Sequence, residues 1–104
     1  GSDIVDVFNA VMSAEGPSAR KQMHKLADAL AQKDGDIILG FFMEHATEEL
    51  MHRAKAAAIA GDLRGAERQA RLSSSLSERI TIAQAYNLDK KQMVLSILED
   101  MRSV

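Results

Sequence analysis

Cysteine is absent from the 104 residues, which removes disulfides, thiolate metal sites and a thiol nucleophile from consideration and agrees with a reducing compartment. Proline occurs once and aromatic residues make up only 4%, so neither a Pro-rich disordered chain nor an aromatic-rich β-structure fits. No apolar run approaches the roughly 18 residues needed to span a bilayer, and the first residues lack the charged and apolar regions of a signal peptide. A cytoplasmic location with no membrane contact is the expectation. Charge of one sign is lacking too: the net charge is -2, with Lys and Arg scattered among Asp and Glu, which disfavours direct contact with nucleic acid. The six glycines stand mostly alone, so no Gly-rich phosphate loop can be assembled.

What the chain does have is 46% hydrophobic and 27% charged residues arranged at helical spacing. Ile4, Val5, Phe8, Val11 and Met12 form one face of a helix over Asp3 to Ala14, with Asp3 as its cap. Gly16 ends it, and Pro17 suits the first turn of a second helix, where a missing N–H is harmless. Ala19, Met23, Leu26, Ala27 and Leu30 line one side of that helix, which ends near Lys33. Asp34-Gly35-Asp36 reads as a turn, with Asp36 capping a third helix whose stripe runs through Leu39, Met43, Ala46, Leu50, Ala54 and Ala57. Gly61-Asp62 gives the next stop and start. Leu63 to Tyr86 is a long fourth helix with Leu72, Leu76, Ile80 and Ala83 on one face, and beside it a row of small residues, Ala66, Ala70, Ser73 and Ser77, that allows close approach of a neighbour. A fifth helix runs from Asp89 to about Ser103, with Met93, Val94, Ile97, Leu98 and Met101 on its buried side. The expected fold is all-α, a compact bundle of about five helices joined by short turns, formed as one domain over residues 3–104. Gly1-Ser2 reads as a tag remnant, and the missing initiator Met points to a piece of a longer protein.

Candidate chemistry is sparse. His45, Glu49 and His52 share a face of the third helix, and Glu49-x-x-His52 has the spacing of carboxylate-bridged di-iron bundles. Those bundles need a second such pair on a facing helix. The remaining histidine, His24, lies between Lys21 and Lys25 with no glutamate three residues before it, so a solvated polar flank is the favoured reading of the cluster. Serines occur without a Gly-x-Ser-x-Gly elbow, and adjacent carboxylates such as Glu48-Glu49 and Glu99-Asp100 diverge around a helix. Catalytic, cofactor-binding and metal residues are therefore all expected to be absent. Ile37, Ile38, Phe41 and Phe42 extend the apolar surface of the third helix all round, which marks it either as central to the bundle or as pressed on a partner.

The sharpest local signal is the junction Asn87-Leu88-Asp89. Asn87 tolerates the left-handed backbone that closes a helix, and Asp89 with Gln92 has the form in which two side chains reciprocally satisfy backbone N–H groups at a helix start. The stretch Ser77-Glu78-Arg79 followed by Asn87, Leu88, Asp89, Lys90, Lys91 and Gln92 resembles the C-terminal domain of the delta-prime subunit of bacterial DNA polymerase III. The upstream Leu26-Ala27-Asp28-Ala29-Leu30-Ala31 is similar to that family as well. The resemblance implies a collar domain: a non-enzymatic all-α module through which the subunit associates with gamma/tau and delta in the clamp-loader ring during DNA replication. Arg79, Lys90 and Lys91 beside the corner are the implied interface candidates. Two other readings stand beside it, a metal-dependent helical-bundle enzyme using His45, Glu49 and His52, and a free-standing adaptor docking through Ile37, Ile38, Phe41 and Phe42.

Overall fold

The computed structural model describes residues 2–31 and 35–103, with side chains from residue 5 to 31 and from 39 to 103. Five helices follow one another: α1 (Ser2–Ser13), α2 (Gly16–Leu30), α3 (Gly35–Ile59), α4 (Leu63–Ala85) and α5 (Lys90–Ser103). No strand occurs among the described residues. The all-α bundle is as the spacing of apolar residues implies, because apolar residues at helical spacing are buried when the helices pack on one another.

The core is made where those stripes meet. Phe8 and Val11 of α1, Leu26 and Leu30 of α2, Phe42 and Leu50 of α3, Leu76 of α4, and Val94, Ile97, Leu98 and Met101 of α5 are all buried in one cluster. Phe8 and Phe42 meet edge to face, their centroids 5.9 Å apart, the geometry that sets a positive ring edge on a negative ring face. The stripes assigned from spacing to α2 and α5 are the buried faces, save that Met93 is only partly covered while Leu95, omitted from the stripe, is buried.

Two helix ends are closed by the same device. Gly61 has φ 83°, with its N–H donating to the Ala58 carbonyl at 3.1 Å and the next N–H, of Asp62, reaching back to Ala57 at 2.8 Å. Asn87 has φ 53°, with its N–H 3.4 Å from the Gln84 carbonyl and the Leu88 N–H 2.8 Å from Ala83. Both are left-handed closures that use up carbonyls otherwise orphaned at a helix C-terminus. Asn serves at the second because its short polar side chain lowers the penalty of positive φ. The α2 boundary differs from expectation: the helix stops at Leu30, capped by Ala31, while Lys33 and Asp34 lie outside the described residues. Gly35 and Asp36 are already helical, so Asp36 stands within the first turn of α3 rather than preceding it as a cap.

Tertiary bonds close two further ends. The Arg102 guanidinium donates to the Val11 carbonyl in the last turn of α1 at 2.6 Å, and Arg53 donates to the Met101 carbonyl in the last turn of α5 at 3.1 Å. A cation at a helix C-terminus both hydrogen-bonds a free carbonyl and opposes the negative dipole end. These ties span 91 and 48 residues. They tie the last turn of α5, which packs on α2 and α4, to α1 and to α3 as well.

α3 and α4 form an antiparallel hairpin with the most extensive contact of any helix pair. At 25 residues α3 is roughly 37 Å long by the 1.5 Å rise, nearly the 43 Å of the molecule's longest dimension. From the α4–α5 corner the apolar cluster reaches along the hairpin as far as Leu50 and Leu72, with no member between them. Beyond them the hairpin continues as a two-helix arm, whose buried α4 residues are Gly65 and Gln69.

Candidate functional site

The α4–α5 corner combines local precision with an apolar exterior. Its turn is set by Asn87 as described, and Asp89 starts α5 by accepting from the Gln92 N–H at 3.2 Å through Oδ1. Asp89 is therefore a cap as expected, and the bond from the Gln92 backbone is the half of the reciprocal arrangement that forms. With the backbone so fixed, Leu88 and Tyr86 are left facing solvent, 53% and 74% exposed, and Ile82 one turn earlier is 43% exposed. Phe41, on α3, is 54% exposed. A hollow of about 190 Å³ opens at the corner, lined among others by Leu39, Ala83, Asn87, Leu88, Lys90 and Met93. Leu39 and Ala83 sharing one hollow shows that the start of α3 and the end of α4 lie at the same level.

The charged residues flanking the corner are engaged within the chain. Arg79 forms an ion pair with Asp100 at 2.8 Å and a second hydrogen bond to the Ser96 hydroxyl, tying α4 to α5. Lys91 pairs with Asp28 at 2.8 Å and ties α5 to α2. Lys90 is half-buried at the mouth of the hollow. Arg79 and Lys91 thus act as struts that hold the corner in place. A sequence pattern shows neither role, because the partners lie 21 and 63 positions away.

The three ligand-type residues of α3 share a face but not a centre. His45 turns its ring edge-on to Phe8, with centroids 4.8 Å apart, and its Nε2 is buried without a hydrogen bond. Glu49 pairs with Arg53 at 3.1 Å, and His52 is exposed. Among the described residues no three His, Asp or Glu side chains come together as a metal site needs. His24 lines an open groove of about 380 Å³ between α2 and α5, beside Arg20, Glu99 and Arg102.

The adaptor surface assigned from sequence divides. Phe42 is wholly buried against Phe8, so it belongs to the core and not to a docking face, whereas Phe41 beside it points outward. Adjacent positions diverge by about 100° around a helix, which forces this split once one of them packs inward. The side chains of Ile37 and Ile38 lie outside the described residues. No helix among the described residues is long and apolar enough to cross a membrane. Compared with protein-family models, with curated proteins and with solved structures, the chain finds no significant match.

Proposed function

We propose that this chain is a non-enzymatic association module, a collar domain that joins a delta-prime-type subunit to gamma/tau and delta subunits in the clamp-loader ring of a bacterial DNA polymerase III. The support for the identity is the resemblance of the stretch from Ser77 to Leu98, and above all of the Asn87-to-Gln92 corner. The observation that carries an association role is the exposed apolar group at that corner. Tyr86 and Leu88 flank the left-handed turn at Asn87, Ile82 lies one turn earlier on α4, and all three are exposed. With a large apolar or aromatic side chain offering about 150–250 Å² in full, Ile82, Tyr86 and Leu88 present roughly 350 Å², a little under half of the ~800 Å² that one partner contributes to a specific interface. Arg79 and Lys91 stiffen the patch and the surrounding polar surface supplies its rim.

The test is reconstitution of the ring from the subunit that carries this chain, with and without Tyr86→Ser and Leu88→Ser. Both residues are mostly exposed, so the variants fold, and entry into the complex on size-exclusion chromatography drops by roughly tenfold or more if they are anchors. Unchanged assembly after removal of residues 3–104 would sink the proposal.

A further inference from the structure

The far end of the α3–α4 hairpin carries a second surface, separate from the corner and unrelated to the clamp-loader resemblance. At its tip Ile59 is 89% exposed and Leu63 is 72% exposed, the former the most exposed large apolar side chain among the described residues. Around them stand Lys55, Arg64 and Arg68, all exposed and none engaged in an ion pair within the described residues. From His52 to Arg71 the chain carries five Lys and Arg against two Asp and Glu, although the whole protein is acidic at -2. One of those two carboxylates, Asp62, is committed to capping α4 through the Gly65 N–H at 2.9 Å, and the other, Glu67, pairs with Arg71. The unbalanced charge at the tip is positive.

The arm's seam contributes little stability of its own. It holds no large aliphatic side chain, and the Oε1 of Gln69, a residue only 9% exposed, has no hydrogen-bond partner. A buried acceptor left unpaired costs about 1–3 kcal/mol. Two naked aliphatic side chains at the end of such an arm are unfavourable in water, and their burial is what a partner would supply.

We propose that the tip of the α3–α4 arm docks an acidic amphipathic helix of another protein, with Ile59 and Leu63 entering its apolar stripe and Lys55, Arg64 and Arg68 meeting its carboxylates. Charge complementarity selects the sign of the partner, and the aliphatic pair selects its kind. A nucleic-acid backbone would leave Ile59 and Leu63 without a complementary surface while facing Asp62 and Glu67. A bilayer surface is met by aromatic side chains at the headgroup level, and no aromatic residue occurs between Phe42 and Tyr86.

The probe is a synthetic helix of repeating Leu and Glu with one apolar face, titrated into the isotope-labelled chain and followed by amide chemical shifts. The same titration is run with a Lys-for-Glu version of the peptide, with phosphatidylserine-containing vesicles and with a short DNA duplex. The expected result is saturable binding of the acidic peptide, with shifts confined to residues 55–68. Ile59→Ser with Leu63→Ser, and separately Arg64→Glu with Arg68→Glu, should each weaken binding by roughly tenfold or more. All four positions are exposed, so unchanged helical circular dichroism will show that the variants remain folded. The proposal is overturned by no binding, by equal binding of the basic peptide, by shifts centred on the α4–α5 corner, or by a preference for vesicles or duplex.

Discussion

Replacing Phe42 by Ala should be among the most damaging single changes in the chain, while the same replacement at Phe41 should be mild. Phe42 has no exposed surface and Phe41 is 54% exposed. Removing a buried ring forfeits about 2–3 kcal/mol of transfer free energy and leaves a cavity at about 24 cal/mol per Å³, for a total of about 3–5 kcal/mol. Loss of the edge-to-face contact with Phe8 places Phe42 in the upper part of that range, since such pairs add about 0.5–1.5 kcal/mol. Phe41 keeps about half of its surface in water in the folded state, so its truncation should cost about 1 kcal/mol or less. A domain of this length has on the order of 5–15 kcal/mol in total. Phe42→Ala therefore brings it close to its limit, and Phe41→Ala does not. Urea denaturation followed by circular dichroism reads both numbers, provided that the denaturant slope is unchanged between variants. Equal losses at the two positions, or a larger loss at Phe41, would refute the division of this aromatic pair into one core and one surface residue.

Two other predictions probe the turns. At Asn87, whose φ is 53°, Ala should cost about 1 kcal/mol while Gly should be neutral or slightly stabilising, and thermal melts of the two variants decide the order. At the start of α4, a Cβ added to Gly65 would lie 2.7 Å from Cγ of Asp62, the carboxylate that caps the helix, so Gly65→Ala forces that side chain to move. The lost cap, about 0.5–2 kcal/mol, opposes a helix-propensity gain of about 1 kcal/mol, and the single variant should be close to neutral. With Asp62→Ala already present no cap remains to lose, and Gly65→Ala should then stabilise by up to about 1 kcal/mol, as a double-mutant cycle would show.

The apolar stripes of α2, α3 and α5 could be read in advance because burial on one side of a helix imposes a 3.6-residue period that any window reveals. The corner at Asn87 and Asp89 was equally legible, since both closures are made by side chain and backbone within five residues. The α4 seam is less legible. Gly65 and Gln69 are buried there with nothing in the sequence to show it, because a glycine and an amide carry no hydrophobic signal, whereas Ser77 from the expected small row is exposed. Arg53 and Arg102 could not be singled out at all. Their carbonyl partners are backbone groups on distant helices, and backbone groups leave no trace in residue identity.

Composition and periodicity were thus enough to determine that this protein is an all-α bundle with five helices and where most of its breaks fall, because helix formation, capping and one-sided burial are interactions among residues a few positions apart. Which of two neighbouring phenylalanines enters the core, that Arg79 and Lys91 brace the corner, and that the end of a long hairpin extends beyond the core with Ile59 and Leu63 at its tip were decided only by the packing of helices against one another. Those outcomes depend on distances between residues far apart in the chain, and a local pattern holds no information about such distances until the helices have docked.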